Sequence, residues 1–188
     1  IPLRLVGSEM CIRDRSYIGS NKEFERQYLE GLIELDLIPQ GTLAEKMRSG
    51  GAGIPAFYTP AGVGTWLETG EIPTKYKKDG SVESYSKPRE VREFNGRKYL
   101  LENSITTDFA LIRAHIADML GNCVFRKSAR NFNPNAAAAG RITIVETEIL
   151  VNPGEIDPDQ VHLSGIYVNR VLKLSDAEAS DKQVEQLT

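Results

Sequence analysis

Apolar positions recur along this chain with two periods, and the switches between them mark out its elements. Between Ser20 and Gly31, Phe24 and Tyr28 are spaced for one helix face, Ser20 and Glu23 have the spacing of a capping box, and Gly31 can close the last turn. A short helix is predicted there. From Leu32 to Ile38 the period falls to two, with Ile33, Leu35 and Leu37 apolar against Glu34 and Asp36, as in a half-buried strand. Pro39 disfavours helix at Ile38, and Thr42 with Glu45 forms a second capping box that opens a helix running to about Ser49. Gly50 and Gly51 end it. Leu43 and Met47 supply its apolar stripe, which leaves Lys46 and Arg48 facing outward.

Further on, Ile54 to Tyr58 has strand character, and Glu68 to Arg89 is polar enough to be a surface excursion without chemistry of its own. Asn95-Gly96, between Glu90–Phe94 and Arg97–Leu101, is the strongest short hairpin signal in the chain. Phe109 to Ile116 reads as a central parallel strand, Asp118 to Asn122 as a turn, and Val124 with Phe125 as the start of another element. Asn131 to Ala139 is a predicted helix ended by Gly140, followed by a strand rich in β-branched residues over Arg141–Leu150 and a last strand within Val161–Leu174. Helices alternating with strands predict an α/β fold with a mainly parallel sheet flanked by helices and a β-hairpin insertion. Residues 1–15 show no sustained period and no start methionine, and they resemble translated adapter or vector DNA, so they are set outside the fold as a foreign leader. That leaves 16–174 as the domain, incomplete at its N-terminus, and 175–188 as a polar tail or linker.

Composition narrows the function classes. At 188 residues the chain is most simply one domain, and a net charge of -3 with a pI near 5.5 is not that of a nucleic-acid binder. Cys11 and Cys123 lie too far apart for a CxxC site, no HxxxH or HExxH spacing exists, and no metal is expected. No run of eighteen apolar residues and no signal-peptide pattern occurs. Gly51-Ala52-Gly53-Ile54-Pro55-Ala56 matches GxGxxG/A, yet it follows a helix and contains a proline, so a nicotinamide site is rejected.

The stretch from Pro39 to Thr65 remains, with Gly51, Gly53, Gly62 and Gly64 able to take positive φ or let a backbone approach closely. Two readings stand. The glycines are tight turns, or they form a loop system facing a ligand. The motifs PQGTLAE, GGAGIPAFYTP, REFNG, RKSARNFNP and DPDQVHLSGIYVNR, in that order from about Ser16 to Leu174, decide between them. Together they resemble the α subunits, or N-terminal halves, of succinyl-CoA:3-ketoacid (3-oxoacid) CoA-transferases, within the family I CoA-transferases.

That resemblance implies an enzyme subunit of ketone-body metabolism moving CoA from succinyl-CoA to acetoacetate, with acetate or butyrate as the rival acid. A glutamate carboxylate attacks the thioester and an enzyme glutamyl-CoA thioester forms. That glutamate belongs to a SENG motif in a β half, and neither SENG nor the family's early GGFxxxGxP loop occurs here, so the chain resembles a fragment. No catalytic residue is assigned, the chain alone is expected to be inactive, and the required partner is the β subunit or C-terminal half. CoA esters are substrates and no cofactor is expected. A bacterial relative would be cytoplasmic, the alternative being the mitochondrial matrix. Gln40 matches a position reaching the active site, where an uncharged amide can hydrogen-bond a carboxylate or carbonyl. Tyr17, Gly51, Ala52, Gly53 and Tyr58 are the other substrate-binding candidates. Arg126, Lys127 and Arg130 are read as a solvated basic face, His115 as a satisfied core histidine and Cys123 as a packed residue, while a triad at His162 finds no support. A non-catalytic assembly or acyl-CoA-binding piece stays open as the alternative.

Overall fold

A computed structural model describes residues 12–15 and 21–180, and the chain divides in it into two units. The first unit is Glu9–Lys46 with Ile54–Ser104; the second is Met47–Gly53 with the chain from Ile105. One domain was expected from length. Length bounds how much core a chain can build, but it does not say which segments cluster.

In the first unit, β1 (Ile12–Arg15) pairs parallel with β2 (Glu34–Leu37). Part of the segment set aside as a leader outside the fold is therefore a strand, because ladder pairing uses backbone groups and needs no side-chain period. Between them lies α1 (Lys22–Leu29), capped by the Asn21 side chain, which accepts from the Phe24 N–H, so the cap lies one residue after the expected Ser20. Phe24 and Tyr28 bury on Ile33 and Leu35, with Leu37 and Tyr76 packed alongside. The helix α2 (Gln40–Gly51) follows β2 almost at once. β3 (Ala56–Thr59) joins β7 (Arg97–Asn103) and β6 (Val91–Phe94) in an antiparallel sheet of order β3-β7-β6, after the short helix α3 (Trp66–Thr69) and the hairpin of β4 (Pro73–Tyr76) with β5 (Val82–Tyr85). The β6–β7 turn is Asn95-Gly96 with φ of 51° and 75°, the two positive values that a two-residue hairpin of this twist requires.

The second unit is built on one sheet of order β11-β10-β8-β9, comprising β8 (Thr107–Asp118), β9 (Cys123–Val124), β10 (Gly140–Val151) and β11 (Arg170–Lys173). β8, β10 and β11 are parallel, and β9 turns back antiparallel on β8. The expected mainly parallel sheet is this one. Its register sets Ala110, Ile112 and Ala114 opposite Thr143, Val145 and Thr147, all buried, and α4 (Asn133–Ala139) covers them with Ala136, Ala137 and Ala139. Phe109 and Leu111 alternate to the other face and stay about two-fifths exposed, at 41% and 43%. The last helix, α5 (Asp176–Ser180), receives hydrogen bonds from Arg113 to the carbonyls of Glu178 and Ala179.

Small residues set how closely α4 and the end of α2 pack within this unit. A Cβ on Gly50 would lie 1.9 Å from the Ile105 carbonyl oxygen, and one on Gly51 would lie 2.5 Å from the Ala138 Cβ. Gly51→Ala is therefore expected to destabilise by about 1–3 kcal/mol through overpacking. Gly41→Ala, on the same helix with nothing within 4 Å of its added Cβ, should be neutral or stabilise by up to about 1 kcal/mol. Urea unfolding of both variants checks this, and equal midpoints would refute the packing account.

Candidate functional site

Only Ile38 and Pro39 separate β2 from α2, and this junction is where the best sequence candidate stands. Ile38 is buried, anchoring the end of the strand, and the Pro39 carbonyl accepts from Leu43 N–H at 2.9 Å to start the helix. Gln40 is the first residue of α2 and is exposed. Its neighbours at a helix start carry backbone N–H groups without an intrahelical partner, at the positive end of the helix dipole, and no acidic side chain occupies that first turn. An uncharged amide beside such donors suits a carboxylate or a developing oxyanion. The expected Thr42 cap does not form. The helix begins earlier, Thr42 is buried at 3% exposure, and its hydroxyl has no hydrogen-bond partner among the described residues.

Gly51, Ala52 and Gly53 stand at the other end of this 12-residue helix, about 17 Å from Gln40 at 1.5 Å per residue. One small group cannot meet both. The Ala52 N–H donates to the Arg48 and Ser49 carbonyls, each at 3.1 Å, and the Gly53 N–H to Gly50 at 3.1 Å, so these amides close the helix. Gly51 abuts Ala138, whereas Gly53, at φ +73°, has open space around its Cα. This end carries the negative pole of the dipole and is the poorer place for an anion.

Tyr58, on β3, donates its hydroxyl to Glu90 at 2.5 Å, meets the Phe94 ring edge-on at 5.2 Å, and lies under the Arg92 guanidinium, 5.2 Å from the ring centroid. That hydrogen bond to the Glu90 carboxylate pushes the phenol above its usual range. Tyr17 lies outside the described residues.

Beneath the junction is a group of charges that sequence reasoning missed. The Glu102 side chain is only 1% exposed. It accepts from Lys46 Nζ at 3.2 Å and from Arg89 Nε at 3.2 Å, and Arg89 reaches on to Asp36 at 3.1 Å. Lys46, expected to face outward, is buried, and Arg89 ends a segment to which no chemistry was assigned. A signal existed: Leu43, Lys46 and Met47 share a helix face, and Leu100 and Glu102 share a strand face, so opposite charges sat at core positions on two elements.

The two histidines and Cys123 are occupied structurally. His115 Nδ1 meets Glu148 at 2.9 Å. His162 Nδ1 accepts from Phe125 N–H at 2.9 Å, and burial, with Arg130 nearby, lowers its pKa. Cys123 is fully buried and its thiol is pushed up to about 12 by burial, which removes it as a nucleophile. A cleft of about 640 Å³ opens in the second unit between Gly50, Thr106–Asp108 and Ala138–Arg141. It lies at the amino ends of β8 and β10, whereas open α/β sheets bind ligands at carboxyl ends. Among the described residues no cluster of His, Cys, Asp or Glu could hold a metal.

The family described as Coenzyme A transferase matches residues 4–174, a span that takes in most of the segment set aside as a leader. A protein from Mycobacterium tuberculosis, named as one subunit of a probable succinyl-CoA:3-ketoacid coenzyme A transferase, is 53% identical over 173 residues, covering 92% of this chain and 68% of that protein. Human succinyl-CoA:3-ketoacid coenzyme A transferase 2, mitochondrial, is 51% identical over the same share of this chain, which spans 33% of the human protein's length. The crystal structure of glutaconate coenzyme A-transferase from Acidaminococcus fermentans superposes with a TM-score of 0.72 at 19% identity, over 92% of this chain and 57% of that one. At that identity the superposition speaks for the α/β fold, while the length and identity of the sequence matches place the chain in a family: it belongs to the coenzyme A transferases.

Proposed function

We propose that this chain works as the α subunit of a CoA-transferase that moves CoA from succinyl-CoA to acetoacetate. The observation that carries the proposal is Gln40, exposed at the start of α2 at the carboxyl end of a parallel strand. The names of the relatives supply the substrate class, and the residues of this chain supply a binding wall. The nucleophilic glutamate comes from a β subunit or C-terminal half, since no SENG motif occurs among the 188 residues. A carboxylate is a weak nucleophile, so the reaction depends on positioning and on donors placed where oxyanions develop. On this chain those donors are the Gln40 side-chain amide and the free N–H groups of the first turn of α2. In this reading Tyr58 is a more peripheral contact. The proposal includes no resident cofactor, because CoA is itself the transferred group.

Partnership fits the second unit. Parallel sheets are ordinarily covered on both faces, and here Phe109, Leu111 and Leu172 stay exposed. No helix among the described residues is long and apolar enough to cross a membrane. A cytoplasmic location is part of the proposal, as for a bacterial member of the family; fractionation checks it against the mitochondrial location in the human relative's name.

The chain mixed with a family β subunit is expected to form acetoacetyl-CoA from succinyl-CoA and acetoacetate, and neither component alone should do so. Acetate or butyrate outperforming acetoacetate would replace the proposed acid. Gln40→Ala should lower kcat/KM roughly 10- to 100-fold, the loss of one hydrogen bond to a charged group. Gln40→Glu should be worse, because it sets a like charge against the acid. Unchanged kinetics in both variants would refute Gln40 as a contact residue.

A further inference from the structure

We infer that Glu102 and Arg89 are positioning residues that hold Gln40 in place by fixing both flanks of the β2–α2 junction through one ion network centred on the buried Glu102. This rests on the proposed contact between Gln40 and the substrate. Asp36, on β2, precedes Gln40 by four residues, and Lys46, on α2, follows it by six. Both tie back to the same pair. Glu102 binds Lys46 through Oε2 and Arg89 through Oε1, each at 3.2 Å, while Arg89 NH2 binds Asp36 Oδ2 at 3.1 Å. Arg89 NH1 is further fixed by the Lys87 carbonyl at 3.3 Å. The anchor sits on β7 and the segment leading into β6, so the sheet β3-β7-β6 is the frame against which the junction is held.

Stability alone does not account for this arrangement. Apolar side chains of similar volume commonly replace buried ion pairs at no loss, because desolvating the charges offsets their attraction. Among the described residues, the network also leaves Asp36 Oδ1 buried without a hydrogen bond. What charges supply that apolar packing does not is direction: the planar Arg89 fork and the two oxygens of Glu102 fix angles as well as distances. Catalysis is sensitive to that, since a misplacement of about 1 Å can cost on the order of a hundredfold in rate.

The test is a double-mutant cycle on kcat/KM in the paired enzyme, using Gln40→Ala, Glu102→Gln and their combination. Glu102→Gln should lower kcat/KM by on the order of tenfold or more in the wild-type background and by less than about threefold once Gln40 is alanine. Equal losses in both backgrounds would show a merely structural role and overturn the inference while leaving the function intact. Unchanged transfer in Gln40→Ala would overturn the role of Gln40 and the inference with it. Should Glu102→Gln fail to fold, Arg89→Lys keeps the charge, loses the fork and goes through the same cycle. Amide exchange gives a second readout without turnover. The Leu43 N–H, which bonds Pro39 across the junction, should exchange at least about tenfold faster in either variant, with the β6–β7 ladder unchanged. Uniform acceleration, or none at Leu43, would overturn the clamp.

Discussion

One carboxylate, that of Glu102, sits almost wholly out of water between a lysine and an arginine, and the first unit is arranged around satisfying it. An unpaired buried charge would cost several kcal/mol, so the partners are obligatory. Lys46 must therefore turn inward on α2, Arg89 must leave the polar segment before β6, and Asp36 must close the chain of charges on β2. Four separate stretches of sequence meet at this point. The β2–α2 junction lies between two of them, which is how a two-residue connection can be held in a defined place.

α2 has different physics at its two ends. Its start presents free N–H groups, a positive pole and an exposed amide; its end closes on itself through Ala52 and Gly53 and packs without side chains against Ile105 and Ala138. The glycines therefore divide their work. Gly50 and Gly51 permit close packing, and Gly53 reverses the chain and leaves space beside it. A run of glycines looks uniform in sequence, yet only the structure separates a packing glycine from an open one. The start of α2 is therefore the end on which the proposed contact with an acid or thioester rests.

Much of the fold was legible because it rests on local rules. The alternation at Ile33, Leu35 and Leu37, the Asn95-Gly96 turn, the β-branched strand of β10 and the helix ended by Gly140 all follow from the period of burial or from backbone preference. The misplaced features were those where a distant partner overrides the local rule. Thr42 had cap chemistry, but the helix started earlier on Pro39. Lys46 had surface chemistry, but Glu102 lay opposite. Ile12–Arg15 had no strand pattern, yet its backbone groups found those of β2. The division into two units was likewise invisible to length and composition.

By itself, then, the sequence determined the α/β class, most element positions and the family resemblance, and it singled out Gln40 as the leading candidate, because each depends on residue type and on spacing along the chain. Tertiary structure alone decided that Gly51 abuts Ala138, that the amides of Ala52 and Gly53 are already bonded, and that Lys46, Glu102, Arg89 and Asp36 form one network. Those outcomes depend on which groups meet after being brought together from far apart in the chain. A charge is buried or exposed according to the partner it finds, and that partner has no fixed place in the sequence.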